Sequence, residues 1–186
     1  MNWNTHYVKT DHAFLGASKW HWINYDEERL KKSWDSFKAV ARGTQLHAYA
    51  EQAIKLGIRQ KQTNETLNKY INDAIGYGLT PEQLLYYSEN CFGTADTIGF
   101  NERKSFLRIH DLKTGATPAH MEQLRIYAAL FCLEYGYKPG DIECELRIYQ
   151  NDEVFKEEPM VEDIAPIMSK IITFDKIIKQ QKELYG

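Results

Sequence analysis

The chain has 186 residues, of which 43% are hydrophobic and 13% aromatic, and its formal net charge is −3. It contains no run near the ~20 consecutive apolar residues of a membrane span and no basic-then-apolar start typical of a signal peptide. We therefore predict a single domain, residues 1–186, that stays in the cytoplasm and has no membrane partner.

The first half of the chain is predicted to contain two helices. Apolar side chains at helical spacing, including Leu46 and Ile54, predict a helix over residues 44–56, and Gly57 is a typical stop for it. A second helix is predicted over residues 64–76. Both precede the segments with strand character.

Three strands are predicted next. Residues 80–83 place a proline after a threonine, as at a helix start, yet the apolar run behind them is typical of a strand. We predict a single turn at 80–83 leading into a strand over 84–89. Further strands are predicted over 92–100 and 105–113, joined by a short hairpin connection at 101–104. The three would form an antiparallel meander.

The second half alternates helix and strand. The segment from Thr117 and Pro118 is a strong helix start, and the helix is predicted to end near Gly136. Alternation over 142–149 predicts a half-exposed strand, and 161–184 a long closing helix. The predicted fold class is α/β with a mixed sheet, in the order helix, three strands, helix, strand, with added helices at both ends.

Two of the predicted strands each deliver a carboxylate. One carries Gly93-Thr94-Ala95-Asp96, and the other carries Ile109-His110-Asp111-Leu112-Lys113-Thr114-Gly115. Because side chains alternate along a strand, Asp111 and Lys113 point the same way. Converging carboxylates are costly unless a cation bridges them, and oxygen ligands suit hard divalent ions. The pattern indicates a metal site for phosphodiester cleavage, although an ion pair of Asp111 with Lys113 at a strand end is an ordinary alternative.

Four blocks in chain order resemble the PD-(D/E)XK nucleases, specifically their RecB-like exonuclease branch. They are the two strand blocks above together with Gly43-Thr44-Gln45-Leu46-His47 followed by Glu51, and Gln123-x-x-x-Tyr127. Together they span about half of the chain, and the whole chain also resembles small phage-encoded nucleases of this type. The resemblance implies a restriction-endonuclease-like core of helix, three-stranded meander, helix and strand.

The resemblance also implies a metal site. Asp96, Asp111, the Leu112 carbonyl and His47 would hold one or two Mg²⁺ or Mn²⁺ ions, and Glu51, one helical turn from His47, would be a possible second layer around the metal. A lone histidine on a helix is more often a surface or core residue, and only the other blocks reverse that expectation.

The remaining catalytic candidates are Lys113, Gln123 and Tyr127. By resemblance Lys113 acts beside the attacking water or the phosphate, and the other two contact DNA or the metal-bound water; Tyr127 could equally belong to the core. Iron–sulfur members of the family use four cysteines, whereas this chain has three, without a C-x-x-C pair, so no cluster is expected.

The resulting hypothesis is a metal-dependent deoxyribonuclease, an exonuclease rather than a site-specific endonuclease, that acts in DNA recombination, repair or end processing. DNA ends or single strands are the expected partner, with a recombination or repair protein as a further one. Residues 29–61 carry eight basic against two acidic residues, but on charge alone a solvated face is the simpler interpretation. Trp20 is a candidate for base stacking. The alternatives are a catalytically idle nucleic-acid-binding or protein-interaction module, and a phosphoesterase acting on nucleotides.

Overall fold

A computed structural model describes residues 14–15, 17–115 and 117–185, with the side chains of 17–20 and 185 outside the description. The side chain of Trp20 therefore lies outside the described residues. The chain divides into two compact units, residues 1–44 and 45–186. Among the described helices, none has the length and apolar character needed to cross a bilayer.

The first unit contains a 3-10 helix, Ala17–Asn24, and the beginning of a long helix, α1, which spans Glu27–Lys55. The helix predicted from residue 44 thus begins much earlier. Asp26 caps its start, because Oδ1 accepts a hydrogen bond from the Arg29 N–H at 2.7 Å. Lys31 and Lys38 pair with acidic residues on neighbouring turns of the same helix, so local charge pairs support its exposed surface.

Among its described residues, the second unit holds the rest of α1, three further α-helices, two short 3-10 helices and five strands. The helices are α2 (Thr66–Tyr77), α3 (Glu122–Tyr135) and α4 (Val161–Tyr185). The strands are β1 (Thr80–Ser88), β2 (Cys91–Asn101), β3 (Phe106–Leu112), β4 (Glu143–Gln150) and β5 (Glu153–Glu157). They form one sheet in the order β1-β2-β3-β4-β5, in which β3 and β4 are parallel and the other neighbours antiparallel. The predicted α/β mixed fold is confirmed.

Two apolar clusters lie on opposite faces of this sheet. On β3, Leu107 and Ile109 join the cluster that contains α3 and α4, whereas Leu112 joins the cluster that contains α2 and the last turns of α1. Alternation along the strand explains the division, because residues 107 and 109 share a face and residue 112 lies on the other. The sheet is thus covered by helices on both sides.

Two further local predictions were wrong, and one strand was missed. Residues 80–83 do not form a turn, because β1 already begins at Thr80. Helix α3 starts at Glu122 rather than 117, and the buried Gln150 side chain holds the intervening loop by donating to the carbonyls of Gly115 and Thr117. Strand β5 was not predicted; a two-residue turn with positive φ at both positions, 52° and 63°, returns the chain from β4 to it.

Candidate metal centre

Three elements of the second unit bring a histidine and two carboxylates together. His47 comes from α1, Glu82 from β1 and Asp96 from β2, and one ligand atom of each lies within 4.8 Å of the others. His47 Nδ1 is 3.5 Å from Asp96 Oδ2. An imidazole and two carboxylates are metal-binding groups, so this group could hold a metal ion.

The position of Glu82 follows from the strand register. The pairs Pro81–Thr97 and Gln83–Ala95 flank it, so Glu82 lies opposite Asp96. Its φ of 50° is in the left-handed region, which a regular strand avoids. A residue in this conformation departs from the alternation of the strand, and here its carboxylate joins Asp96 and His47.

The second predicted carboxylate, Asp111, is buried beside this group. Its side chain is 2% exposed, Oδ1 accepts a hydrogen bond from Lys113 Nζ at 3.1 Å, and Oδ2 has no hydrogen-bond partner among the described residues although the same Nζ is 3.0 Å away. The Leu112 N–H donates to Asp96 Oδ2 at 2.8 Å, which ties the two carboxylate-bearing strands together. The Lys113 ammonium therefore lies close to both oxygens of the buried Asp111 carboxylate.

The electrostatics of the centre reflect crowded negative charge. Burial, followed by the charge of Asp111, raises the pKa of Asp96 to about 6, against the opposing effects of the Leu112 N–H and His47. Burial also raises the pKa of Asp111, which the Lys113 ammonium opposes. Burial and the charge of Glu51 raise the pKa of Glu82. All three carboxyls thus resist ionisation in the absence of a cation.

Lys113 is the first member of a short polar chain that leads to α3. Its Nζ donates to Gln123 Oε1 at 2.8 Å, and Gln123 Nε2 donates to the Tyr127 hydroxyl at 3.1 Å. The Tyr127 ring lies against Gly93, where an added Cβ would come within 2.9 Å of Cε1. The structure therefore brings together Asp111, Lys113 and the two helix residues.

Two neighbouring groups take other roles. Glu51 forms an ion pair with Lys55 on the next turn of α1, and its charge reaches Glu82. His110, next to Asp111 in sequence, is fully buried with Nδ1 3.3 Å from the Tyr149 hydroxyl, and burial lowers its pKa to about 3. His110 therefore stays neutral in the core while His47 faces the carboxylates.

Glu82 is the member of the centre that sequence reasoning missed. Its neighbourhood was interpreted as a turn, and the features that place it, the β1–β2 register and a positive φ, have no local sequence signature. Comparisons of the chain with protein-family models, with curated proteins and with solved structures each found no match.

Proposed function

We propose that the protein is a metal-dependent deoxyribonuclease of the PD-(D/E)XK type, in its RecB-like exonuclease branch. The observation that carries the proposal is the arrangement on β2 and β3, where Asp96, in the middle of β2, and buried Asp111, near the end of β3, lie with Lys113 on one side and His47 on the other. The helix–meander–helix–strand order of the second unit supports it.

The donor set fits a hard or borderline divalent ion. Asp96, Asp111, the Leu112 carbonyl and His47 would hold Mg²⁺ or Mn²⁺, and the burial that raises the pKa of both Asp96 and Asp111 favours a cation there. When bound, such an ion supplies an activated water and neutralises charge on the phosphate oxygens.

Lys113 provides the protein's own positive charge beside the proposed metal site. Its ammonium is shared between Asp111 and Gln123, and the Gln123–Tyr127 hydrogen bond fixes the amide that accepts from it. Held in this way, the Lys113 ammonium stabilises charge that develops on the phosphate; only as the neutral amine would Lys113 accept the proton of the attacking water. Tyr127 and Gln123 then act as positioning residues for Lys113.

DNA ends or single strands are the proposed substrate, and recombination, repair or end processing in a bacterial cell or phage-infected host the proposed setting. A recombination or repair protein is the proposed partner. The exonuclease preference rests on the resemblance alone.

The test is cleavage of end-labelled linear single- and double-stranded DNA with Mg²⁺, Mn²⁺ or EDTA. We expect shortening from the ends that stops in EDTA, and a loss of several orders of magnitude in single-turnover rate for Lys113→Ala with metal affinity retained. Asp96→Asn should weaken metal binding itself. Lys104→Ala, an exposed lysine of the β2–β3 connection, is the matched control and should cleave normally.

Cleavage that persists in EDTA would refute the metal-dependent reaction. DNA binding without cleavage under any metal condition would favour the idle binding module instead. Release of phosphate from mononucleotides, with no effect on DNA, would favour the nucleotide phosphoesterase.

A further inference from the structure

An exposed aromatic surface continues β1 and β2 beyond the candidate centre. The strand register pairs Tyr86 with Phe92, four residues along β2 from Asp96, and Leu84 lies one pair nearer the centre. The side chains of Leu84, Tyr86 and Phe92 are 47%, 44% and 58% exposed. The two rings stack with their centroids 6.1 Å apart and 22° between their planes. We call these three residues the aromatic platform.

The aromatic platform lies on the same face of the sheet as the centre. Gly93 and Ala95 lie against the other face, which α3 covers. Alternation along β2 therefore places Phe92 and Asp96 together on the face where α1 contributes His47. At about 3.3 Å per residue, the ring pair is about 13 Å along the sheet from Asp96. A ligand held at the centre can thus extend over the rings.

The edge of β1 offers ring faces rather than free backbone. β1 is the first strand of the sheet order, so one of its sides has no neighbouring strand. The Tyr86 N–H donates to Glu134 Oε2 at 2.8 Å, and Gln83 Nε2 donates to the Leu84 carbonyl at 2.8 Å. Side chains of the protein itself thus occupy backbone groups that an added peptide strand would bind. This arrangement favours an occupant that stacks on the rings.

Groups that can contact phosphate lie at both ends of the aromatic platform. The group of His47, Glu82 and Asp96, which could hold a metal ion, lies at one end. At the other end Lys182 of α4 reaches the β1–β2 turn, where its Nζ donates to Asn90 Oδ1 at 2.5 Å. Among the described residues Lys182 has no ion-pair partner, so its ammonium can contact an anion. With a cation at the centre, positive charge flanks the rings on both sides.

We propose that the aromatic platform binds unpaired bases of single-stranded DNA, which stack on Tyr86 and Phe92 while a neighbouring phosphate contacts Lys182. The inference rests on the proposed function for the phosphate at the metal centre, and it adds a base-binding surface and a preference for single strands. Stacking accepts every base, because each has a π-face, so we expect little sequence preference. A duplex keeps its bases stacked inside the helix and cannot use the rings in this way.

The test is binding of a single-stranded oligonucleotide and of a blunt duplex of the same length, measured in EDTA to prevent the proposed cleavage. Fluorescence anisotropy gives the affinity, and the quenching of a 2-aminopurine flanked by thymines reports stacking. We expect the wild-type protein to prefer the single strand and to quench the 2-aminopurine. Phe92→Leu and Tyr86→Leu remove a ring but keep an apolar side chain, and each should weaken single-strand binding by about 5- to 100-fold. Phe92→Tyr should bind as the wild type does.

Two further variants serve as a control and as a test of the phosphate contact. Phe155→Leu is the matched control, because Phe155 is 46% exposed on β5, at the opposite edge of the sheet, and it should leave binding unchanged. Lys182→Gln should weaken binding to all single strands alike and lower the salt dependence by about one counterion. Unchanged salt dependence in Lys182→Gln would contradict the phosphate contact.

Several outcomes would overturn the inference. They are equal affinity of the wild-type protein for single strand and duplex, wild-type binding in both leucine variants, and an equal loss in Phe155→Leu. The proposed nuclease function is tested separately, by cleavage with Mg²⁺ or Mn²⁺. Ring-dependent binding of single strands without cleavage would count against the nuclease function alone. Metal-dependent cleavage of single strands with a wild-type KM in both leucine variants would count against the aromatic platform alone.

Discussion

Replacing Asp96 by asparagine should stabilise the metal-free protein. The substitution removes one negative charge from beside Asp111 and Glu82 and leaves the shape of the side chain unchanged. The amide oxygen of asparagine can still accept the Leu112 N–H that now binds Oδ2 at 2.8 Å. Charge repulsion and desolvation are therefore relieved without loss of that hydrogen bond.

The magnitude follows from the pKa of Asp96. Burial and Asp111 raise it from 3.8 to about 6, so the folded protein holds the proton more tightly than the unfolded chain does. Asp96 therefore does not lower the free energy of unfolding below about pH 4, where its carboxyl is protonated in both states. The loss grows as the pH rises from about 4 to about 6 and then stays constant at about 3 kcal/mol. Asp96→Asn should raise the free energy of unfolding by up to about 3 kcal/mol at pH 8 and have little effect at pH 4.

Urea unfolding in EDTA, at both pH values, measures this difference. Glu145→Gln is the matched control: Glu145 is also buried, and burial alone would raise its pKa, but hydrogen bonds from Arg108, Lys156 and Arg147 lower it to about 2. Its charge thus stabilises the fold above about pH 4.5, and that stability is lost as the pH falls through about 2, so Glu145→Gln should destabilise by about 3 kcal/mol at pH 8. A neutral or destabilising effect of Asp96→Asn at pH 8, or an equal gain at pH 4, would refute the reasoning.

Three more predictions concern other parts of the chain. Gly93→Ala places a methyl group 2.9 Å from the Tyr127 ring, so urea unfolding should show a loss of about 1–3 kcal/mol and the chemical step should slow, whereas unchanged stability would mean that the ring moves freely. Burial raises the pKa of every cysteine thiol, so alkylation of the native protein should be slow and confined to the partly exposed Cys91, with all three thiols reacting in urea. If the basic segment binds DNA, a triple charge reversal should weaken binding to all sequences and reduce its salt dependence, and unchanged affinity would assign the segment to a solvated face. The residues reversed to Glu are Lys31, Lys32 and Lys38.

The sequence predicted those elements whose stability comes from a buried apolar face. The strands around Ala95 and Ile109 and the helix that carries Leu124 all contribute to one core cluster, and each has a periodic apolar pattern. The first half of α1 has no such face, because its buried residues, Ala50, Ala53 and Ile54, lie near its end. Its first half is supported by a cap and charge pairs, so hydrophobic periodicity could not place its start.

Contacts in the site were predictable when both residues lie in one short segment of the sequence. They were not predictable when they depend on how two strands pair. Asp111 and Lys113 are two residues apart, and their contact follows from strand alternation alone. Glu82 meets Asp96 only because β1 pairs with β2 in one register. A slip of one residue would move every side chain of β1 to the other face, and nothing in the local sequence around Glu82 fixes the register.

The buried carboxylates of this sheet lie in two different electrostatic environments. Glu145 on β4 has three cationic side chains within hydrogen-bond reach, and its pKa falls to about 2. The ammonium of Lys113 pairs with Asp111, whereas Asp96 has the Leu112 N–H and His47 to oppose its burial, and the pKa values of both carboxyls rise. The fold therefore surrounds the buried Glu145 carboxylate with positive charge, and it leaves the Asp96–Asp111 pair on β2 and β3 with less. Among the described carboxylates, this deficit lies beside Glu82, which has no ion-pair partner there, and it favours a cation taken from solution at the His47–Glu82–Asp96 group.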